Sequence, residues 1–299
     1  MFKFEAEQKT YKIYGVDIGG QPGEVPTVMV GSLFYRGQKI VQDSEEGVFD
    51  KEEAESMIKE AEEQTDKTGL PSMVDLVAET TKAAEGYLDF VTGISEMPIL
   101  LDAPSEKVHM ESLQYAKDQG IMERIVLNSL TPHTKEQVYQ KLKEVNCESA
   151  VLLLYSTRAV ISSDKRLVLE ELIPKAKEAG IENILVDTVV LDIATLGLAI
   201  KAIYKIKRRY GYPTGCGAHN AVDTWKGLKE KFAKKAVTAS LGVANALPVA
   251  LGADFVLYGP IENAKFIYPS IAFIDTAYSQ LIMEEGRRPS KEHPRYKIG

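Results

Sequence analysis

Short apolar runs rich in β-branched residues alternate along the chain with longer stretches whose apolar positions recur at intervals of three and four. The first kind reads as strands and the second as amphipathic helices, so their alternation predicts βα units around a parallel sheet. The strand-like runs are "TVMVGS" from Thr27, "SMVDLV" from Ser72, "PILLD" ending at Asp102 and "RIVLNS" ending at Ser129. Four more follow: "AVLLLYS" from Ala150, "NILVD" ending at Asp187, "PTGCGAHN" ending at Asn220 and "DFVLYG" from Asp254. Between them lie "KEEAESMIKEAEEQTDK", "TKEQVYQKLKEV", "DKRLVLEELIPKAKEAG" and "ATLGLAIKAIYKIKRRY", several closing on Lys/Arg and Gly as helix C-termini do. Eight such units at a spacing of roughly 30 residues fill the length of a (β/α)8 TIM barrel. The expected architecture is therefore one α/β domain spanning 1–299, with residues 285–299, including "GRRPSKEHPRYKIG", as an exposed C-terminal arm. A doubly wound open sheet is the rival, but "VGSLFYRG" lacks the Gly-x-Gly-x-x-Gly turn of dinucleotide-binding folds.

Composition narrows the function classes. Apolar residues make up 44% of the 299 and charged residues 26%, enough to bury a sizeable core in a soluble enzyme-sized chain. The formal charge of -7, with no Lys/Arg stripe, gives a nucleic-acid partner no electrostatic support. Cys147 and Cys216 are too few for a disulfide framework and do not form a Cys-x-x-Cys pair, which fits a reducing cytoplasm. The start "MFKFEAEQKT" has no apolar signal core, and no run reaches the roughly 18 apolar residues of a spanning helix. A cytoplasmic protein without membrane insertion is expected.

In barrels of this kind the chemistry sits where strands end. Those positions hold Ser32, Asp75, Asp102, Asn128 with Ser129, Tyr155, Asp187, Asn220 and Tyr258. None is lysine, so the amine of a Schiff-base enzyme is missing. The predicted mouth is a ring of carboxylates, which accept N–H groups, and of amides, which both donate and accept. A carboxylate takes two parallel N–H bonds from a 2-amino-pyrimidinone edge, and Asn128 can pair with the carbonyl and ring nitrogen beside it. That is the face of a pterin.

Plainer readings stand beside these. Aspartates at strand ends often cap the next helix, and Asp102 lies close to a helix start near Ser105. Asn128 and Ser129 can form a turn, and His219 can be a packing histidine. The glycines of "GCGAHN" suggest backbone kept clear for a ligand at Asn220. Cys216 and His219 have a Cys-x-x-His spacing, but a zinc site needs three or four ligands, and Cys147, His109, His133 and His293 lie elsewhere, so no metal is expected. "GGQPGE" lacks the Gly-Lys-Ser/Thr ending of a P-loop and reads as a turn on the barrel's N-terminal side. "GADFVLYG" resembles a phosphate-binding strand end, yet Glu262 follows it and repels an anion. Trp225 and Tyr258 serve either as an apolar wall for the ligand or as core.

Taken together, "IGGQPGE" at Ile18, "GSLFYRGQKIV" at Gly31, "VDTVVL" at Val186, "GAHNA" at Gly217 and "GADFVLYGPIENA" at Gly252 closely resemble the H-subunit family of tetrahydromethanopterin S-methyltransferase and its bacterial relatives. The resemblance covers essentially the whole chain. It extends more loosely to corrinoid iron-sulfur protein methyltransferases that use methyltetrahydrofolate and to dihydropteroate synthase, all pterin-binding barrels. It implies methyl transfer between N5 of a tetrahydropterin and the cobalt of a corrinoid, methylcobalamin in its loaded form, carried by a separate protein. It also implies that Asp75, Asp102, Asn128 with Ser129, Asp187 and Asn220 bind the pterin, with Asn220 and Asp187 as the catalytic pair and Ser32, His219, Tyr258 and Glu262 secondary. Tetrahydrofolate, as in demethylation of glycine betaine or other methylated amines, is the expected carrier. The alternatives are a tetrahydromethanopterin-dependent component of an archaeal complex and a non-catalytic component that docks on the corrinoid protein. A homodimer is expected by the same analogy. The chain lacks the Asp-x-His-x-x-Gly motif of cobalamin-binding proteins.

The chemistry explains a neutral asparagine at position 220. A methyl group leaving N5 needs that nitrogen protonated or strongly hydrogen-bonded, because an undressed amide anion leaves poorly. An asparagine can accept from a protonated N5 or donate to an unprotonated one, whereas a lysine can only donate and disfavours a cationic N5.

Overall fold

A computed structural model describes residues 3–155 and 164–298. Among these residues the chain opens with an antiparallel hairpin, β1 (Thr10–Ile13) and β2 (Val16–Gly19), then β3 (Val28–Leu33) and a small second hairpin, β4 (Val41–Asp43) and β5 (Val48–Phe49). Seven further strands alternate with helices. They are β6 (Ser72–Val77), β7 (Ile99–Asp102), β8 (Ile125–Leu130), β9 (Ser149–Leu153), β10 (Asn183–Asp187), β11 (Thr214–Cys216) and β12 (Phe255–Pro260). The helices are α1 (Lys51–Thr68), α2 (Thr81–Ile94), α3 (Glu106–Asp118), α4 (Glu136–Val145), α5 (Asp164–Glu178), α6 (Ile193–Tyr210), the short α7 (Asn220–Asp223) and α8 (Leu228–Phe232), α9 (Lys234–Ala250) and α10 (Ala264–Glu284). Strands β3 and β6 to β12 pair in parallel, and β12 closes on β3 to complete an eight-stranded barrel. The (β/α)8 expectation holds.

Two apolar layers follow from the period-2 alternation of the strands. Outward residues such as Val74, Leu101, Leu127 and Val186 pack with the helices in the larger core. Inward residues, among them Val30, Met73, Leu100, Val126 and Leu185, form a second cluster inside the barrel. Ile13 and Ile18 of the first hairpin join that inner cluster, so β1 and β2 plug the N-terminal end. The hairpin turns on Tyr14 and Gly15, both with positive φ, 40° and 86°, the combination that matches strand twist in a two-residue loop. Ile18→Val should therefore lower stability by about 0.5–1.5 kcal/mol. Urea titration checks this through a lower midpoint with an unchanged slope, and an unchanged midpoint would show the hairpin to be a dispensable flap.

The same end is tied by a buried ion pair. Lys207 Nζ donates to Asp254 Oδ1 at 2.6 Å and to the Gly20 carbonyl at 2.9 Å, and Thr214 N–H donates to Asp254 Oδ2 at 2.8 Å. "GGQPGE" is thus a structural turn beside this pair.

Two expectations are corrected. The seventh strand stops at Cys216, and Asn220 opens the short α7, its backbone N–H bonded to the Gly217 carbonyl at 3.3 Å. Of the glycines of "GCGAHN", Gly217 borders the cavity at the C-terminal end of the barrel, and Gly215 serves packing. A methyl group on Gly215 would lie 2.2 Å from the Phe255 carbonyl oxygen, and one on Gly217 3.3 Å from the Asn220 amide. Residues 285–298 are not a free arm: His293 and Pro294 are buried, Ser290 N–H bonds the Glu24 carbonyl, Arg287 pairs with Glu24 at 2.7 Å, and Arg295 reaches Ser279 Oγ at 3.1 Å. Ser156, the last residue of the run from Ala150, lies outside the described residues. No described helix is long and apolar enough to cross a membrane.

Candidate active site

Val30, Met73, Leu100, Val126 and Leu185 face the barrel interior, and residues two apart on a strand share a face. The next inward residues toward the C-terminal end are therefore Ser32, Asp75, Asp102, Asn128 and Asp187. All five line one cavity of about 510 Å³, within the roughly 300–1,000 Å³ of small-molecule sites. Ser129, Tyr155, His219 and Asn220 line it too. The Asn128–Ser129 peptide is cis, and the pairing of β8 with β9 shifts register there.

The capping reading of the aspartates does not apply. Thr80 caps α2 through Ala83 N–H, Ser105 caps α3 through Val108 N–H, and Asp192 caps α6 in a reciprocal box with Thr195. Asp75, Asp102 and Asp187 are free of that duty.

Their protonation differs with their surroundings. Asp75, only 4% exposed, accepts from Ser32 Oγ–H at 2.7 Å and from Asn128 Nδ2–H at 3.0 Å. Burial pushes its carboxyl above the usual range, while these two bonds and the nearby His219 pull it back. Burial and the adjoining charge of Asp75 push Asp102 up to about 8. Asp75 and Asp102 titrate as a pair, and the two bonds donated to Asp75 make it the anionic partner and Asp102 the protonated one near neutrality. Asp187, 6% exposed, is raised to about 6 by burial, against the pull of Val189 N–H at 2.6 Å and the nearby Lys165. The cavity thus presents an ionised Asp187, which only accepts, and a neutral Asp102, which can donate. Such separation of like groups assigns acid and base roles.

Both folded values lie above the ordinary aspartate value near 4. The folded state therefore holds protons that the unfolded chain has released, and stability falls as pH rises. Below the ordinary histidine value near 6.5 the buried His109 and His293, both held low, oppose this trend, so ligand-free protein should lose stability from about pH 6.5 to about pH 8, the upper value marking Asp102, and level off above it. Asp102→Asn should make the decline above about pH 6 shallower, leaving the share of Asp275, which burial raises to about 7. Denaturant midpoints measured across pH check this; a wild-type curve rising over the range would contradict it.

Asn220 and His219 complete the wall. His219 Nδ1–H donates to the Leu257 carbonyl at 2.9 Å, which leaves Nε2 as the acceptor in the neutral ring. Gly259, at φ 90°, makes room for that ring: a methyl group there would sit 2.8 Å from His219 Cγ. Asn220 Nδ2 lies 3.0 Å from the Val190 carbonyl. A carbonyl only accepts, so the amide nitrogen must face Val190, and Oδ1 remains without a protein partner among the described residues.

Other candidates fall outside the cavity lining. Tyr258 neighbours the inward Leu257, so alternation sends its side chain outward, where its ring meets Tyr268 edge-on at 5.7 Å. Glu262 accepts from Gln38 Nε2 at 3.1 Å and is not part of the wall. Trp225 packs against Phe232 on an outer groove over α9. Cys216 is buried in the outer core and, among the described residues, no group of three or more His, Cys, Asp or Glu is placed to hold a metal ion.

The structure also brings in residues the sequence did not single out. Tyr35, whose hydroxyl is pushed up to about 12 by burial and the charges of Glu262 and Asp223, lines the cavity, as does Asp223. Tyr35 lies three residues beyond the inward Ser32 of β3, within the conspicuous "GSLFYRGQKIV". His109 Nε2 lies 3.1 Å from Ala103 N and 3.0 Å from the Asn128 carbonyl, bridging the ends of β7 and β8 from behind. Nothing in the sequence around His109 signals that.

Residues 6–289 match the family model for the tetrahydromethanopterin S-methyltransferase MtrH subunit. The chain is 35% identical over 309 residues to the H subunit of tetrahydromethanopterin S-methyltransferase from Methanothermobacter thermautotrophicus, covering 100% of both chains. It is 34% identical over 320 residues to the corresponding H subunit from Methanocaldococcus jannaschii, again covering 100% of both. Among solved structures, the dihydropteroate synthase of Coxiella burnetii in complex with pteroic acid superposes with a TM-score of 0.66 at 12% identity, covering 91% of this chain and 99% of that one. At that identity the likeness is one of fold.

Proposed function

The chain belongs to the tetrahydromethanopterin S-methyltransferase H-subunit family, and from that premise we propose that it transfers a methyl group between N5 of a tetrahydropterin and the cobalt of a corrinoid held by a separate protein. The observation that carries the reading is the convergence of Asp75, Asp102, Asn128, Asp187 and Asn220 on one cavity with their protonation states pushed apart.

A tetrahydropterin's amino-pyrimidinone edge offers a 2-amino group and a ring N–H side by side, with a carbonyl adjoining. Ionised Asp187 accepts the two N–H groups; Oδ1 already takes Val189 N–H, and Oδ2 has no protein partner among the described residues. Asn128, one amide hydrogen on Asp75, retains an oxygen and a second hydrogen for the ring. Neutral Asp102 supplies a donor that an ionised carboxylate lacks. Asn220 presents Oδ1, the right atom to accept from a protonated N5 as the methyl leaves or to take that proton's hydrogen bond in reverse. The cobalt, when the corrinoid protein is docked, supplies the methyl acceptor or donor. This chain's share is to bind, orient and hold the proton at N5. Positioning of this kind is worth on the order of 7–11 kcal/mol in favourable cases.

On the carrier, the relatives favour tetrahydromethanopterin over the tetrahydrofolate that the sequence alone suggested. Relatives matched over their full length are named for tetrahydromethanopterin. The cavity residues above address the ring that both carriers share, so the choice rests on those relatives. A protein that only docks the corrinoid carrier would have no use for the polar ring.

The deciding assay follows demethylation of methylcobalamin by the purified chain with tetrahydromethanopterin or tetrahydrofolate as acceptor. Transfer faster with tetrahydromethanopterin is expected. Faster transfer to tetrahydrofolate would restore the folate assignment, and pterin binding with no transfer to either would favour the docking role.

A further inference from the structure

Asp187 and Asn220 come from different βα units, yet one turn holds both. Residues 188–190 follow β10. The Val189 N–H donates to Asp187 Oδ1 at 2.6 Å, and the Val190 carbonyl accepts from Asn220 Nδ2 at 3.0 Å. The turn is not one its residues favour, because Val189 sits at φ 60°, in the left-handed region that is costly for a β-branched side chain. Something outside the turn must over-determine it.

Lys165, in the first turn of α5, meets that requirement. It is 5% exposed, and its ammonium donates to the carbonyls of Thr188 and, at 3.3 Å, of Val189. No carboxylate lies within ion-pair distance of it among the described residues, so backbone carbonyls and the field of Asp187 compensate its burial. A lysine buried for packing alone would be replaced at lower cost by a leucine or methionine. The charged groups acting on Asp187 are Lys165 and Asp75, and Cys216 lies near both Asp187 and Lys165.

We propose that Lys165 is a positioning residue for the methyl transfer: its ammonium clamps the Thr188 and Val189 carbonyls, and the clamped turn aims both the Asp187 carboxylate and the Asn220 amide into the cavity. The inference rests on the pterin reading above and adds to it the element that couples the binding acid to the N5 amide. Lys165 itself touches no substrate.

The test compares Lys165→Met and Lys165→Arg with wild type in three measurements: the 13C titration of the Asp187 carboxyl without ligand, tetrahydropterin affinity at pH 6 and pH 8, and turnover at saturating pterin. In Lys165→Met the Asp187 midpoint should move up, since the cation that opposes burial and Asp75 is gone. Affinity should fall more at pH 6 than at pH 8, and turnover should fall about tenfold or more. Lys165→Arg, which keeps the charge and the donors, should recover most of each. A folded Lys165→Met with an unmoved Asp187 midpoint and wild-type turnover would overturn the inference and leave Asp187 as a pterin ligand. Equal affinity loss at both pH values, without rescue by arginine, would reduce Lys165 to a structural role and overturn it too. Wild-type protein that bound no tetrahydropterin would instead overturn the functional reading, and the ligand-free Asp187 titration would then decide whether Lys165 holds the turn. Should Lys165→Met not fold, Lys165→Gln keeps a donor while removing the charge; its Asp187 midpoint is expected to move up and its turnover to fall about tenfold, and an unmoved midpoint with unchanged turnover would overturn the clamp.

Discussion

Asn220→Ala is expected to slow methyl transfer by roughly 10²-fold or more, the usual loss when one transition-state hydrogen bond is removed, while tetrahydropterin affinity changes by no more than about threefold. The split follows from what each atom of the amide does. Nδ2 is committed to the Val190 carbonyl at 3.0 Å, so the side chain is held in one orientation and Oδ1 is offered to N5. That bond forms as N5 gains its proton and the methyl departs, because a neutral tertiary amine has no N–H to give Oδ1 in the ground state. Losing it raises the barrier without much loosening the ring, which the carboxylates hold. The pinned amide also refines the view that Asn220 alternates between donor and acceptor: turning it over costs the bond to Val190, about 1 kcal/mol. Single-turnover transfer and equilibrium binding, measured side by side, separate the two effects, and equal losses in both would remove Asn220 from the N5 role.

Asp187→Asn is expected to act the other way, weakening tetrahydropterin binding by roughly 10- to 100-fold with a smaller effect on transfer from the bound state. Asparagine has the shape of the aspartate, but one oxygen becomes an NH2. With Val189 N–H already on one side, the amide must turn its oxygen either to Val189 or to the pterin, and in each case a buried N–H faces another donor. The pH dependence should go with it. In wild type, affinity should fall as Asp187 takes up its proton below about 6. In Asp187→Asn that acid limb should vanish. Calorimetric titrations at pH 5 and pH 7 test both statements; an unchanged affinity, or an acid limb that survives, would take Asp187 out of the pocket.

The barrel was legible in the sequence because strands buried on both faces are continuous apolar runs, and a parallel sheet separates them with helices of recognisable period. The N-terminal hairpin was not. Its strands carry Lys12 and Asp17 beside the buried isoleucines, its turn is Tyr-Gly where Asn-Gly would have announced it, and its purpose is visible only once the barrel exists to be plugged. The C-terminal segment was read as an arm from its charge, yet a few buried anchors, His293 and Pro294 among them, dock it against the body.

Much of the polar ring was legible for a similar reason: Ser32, Asp75, Asp102, Asn128 and Asp187 each lie two residues beyond an inward apolar residue on their own strand. The same parity excludes Tyr258, which flanks an inward Leu257, and stricter use of alternation in the sequence would have done so. Asn220 was placed on a strand because glycine-rich sequence carries no periodicity, whereas the structure hands it to a short helix after β11. Lys165 and His109 were illegible, since each acts on backbone atoms of a distant strand end and no local pattern marks such a contact.

A crystal structure of the chain with a bound tetrahydropterin tests the central claim most directly. The ring should lie in the cavity at the C-terminal end of the barrel, its 2-amino and ring N–H on Asp187, its carbonyl edge toward Asn128, and N5 within hydrogen-bond distance of Asn220 Oδ1. A pterin bound elsewhere, or in this cavity with N5 turned away from Asn220 and its amino group off Asp187, would contradict the account.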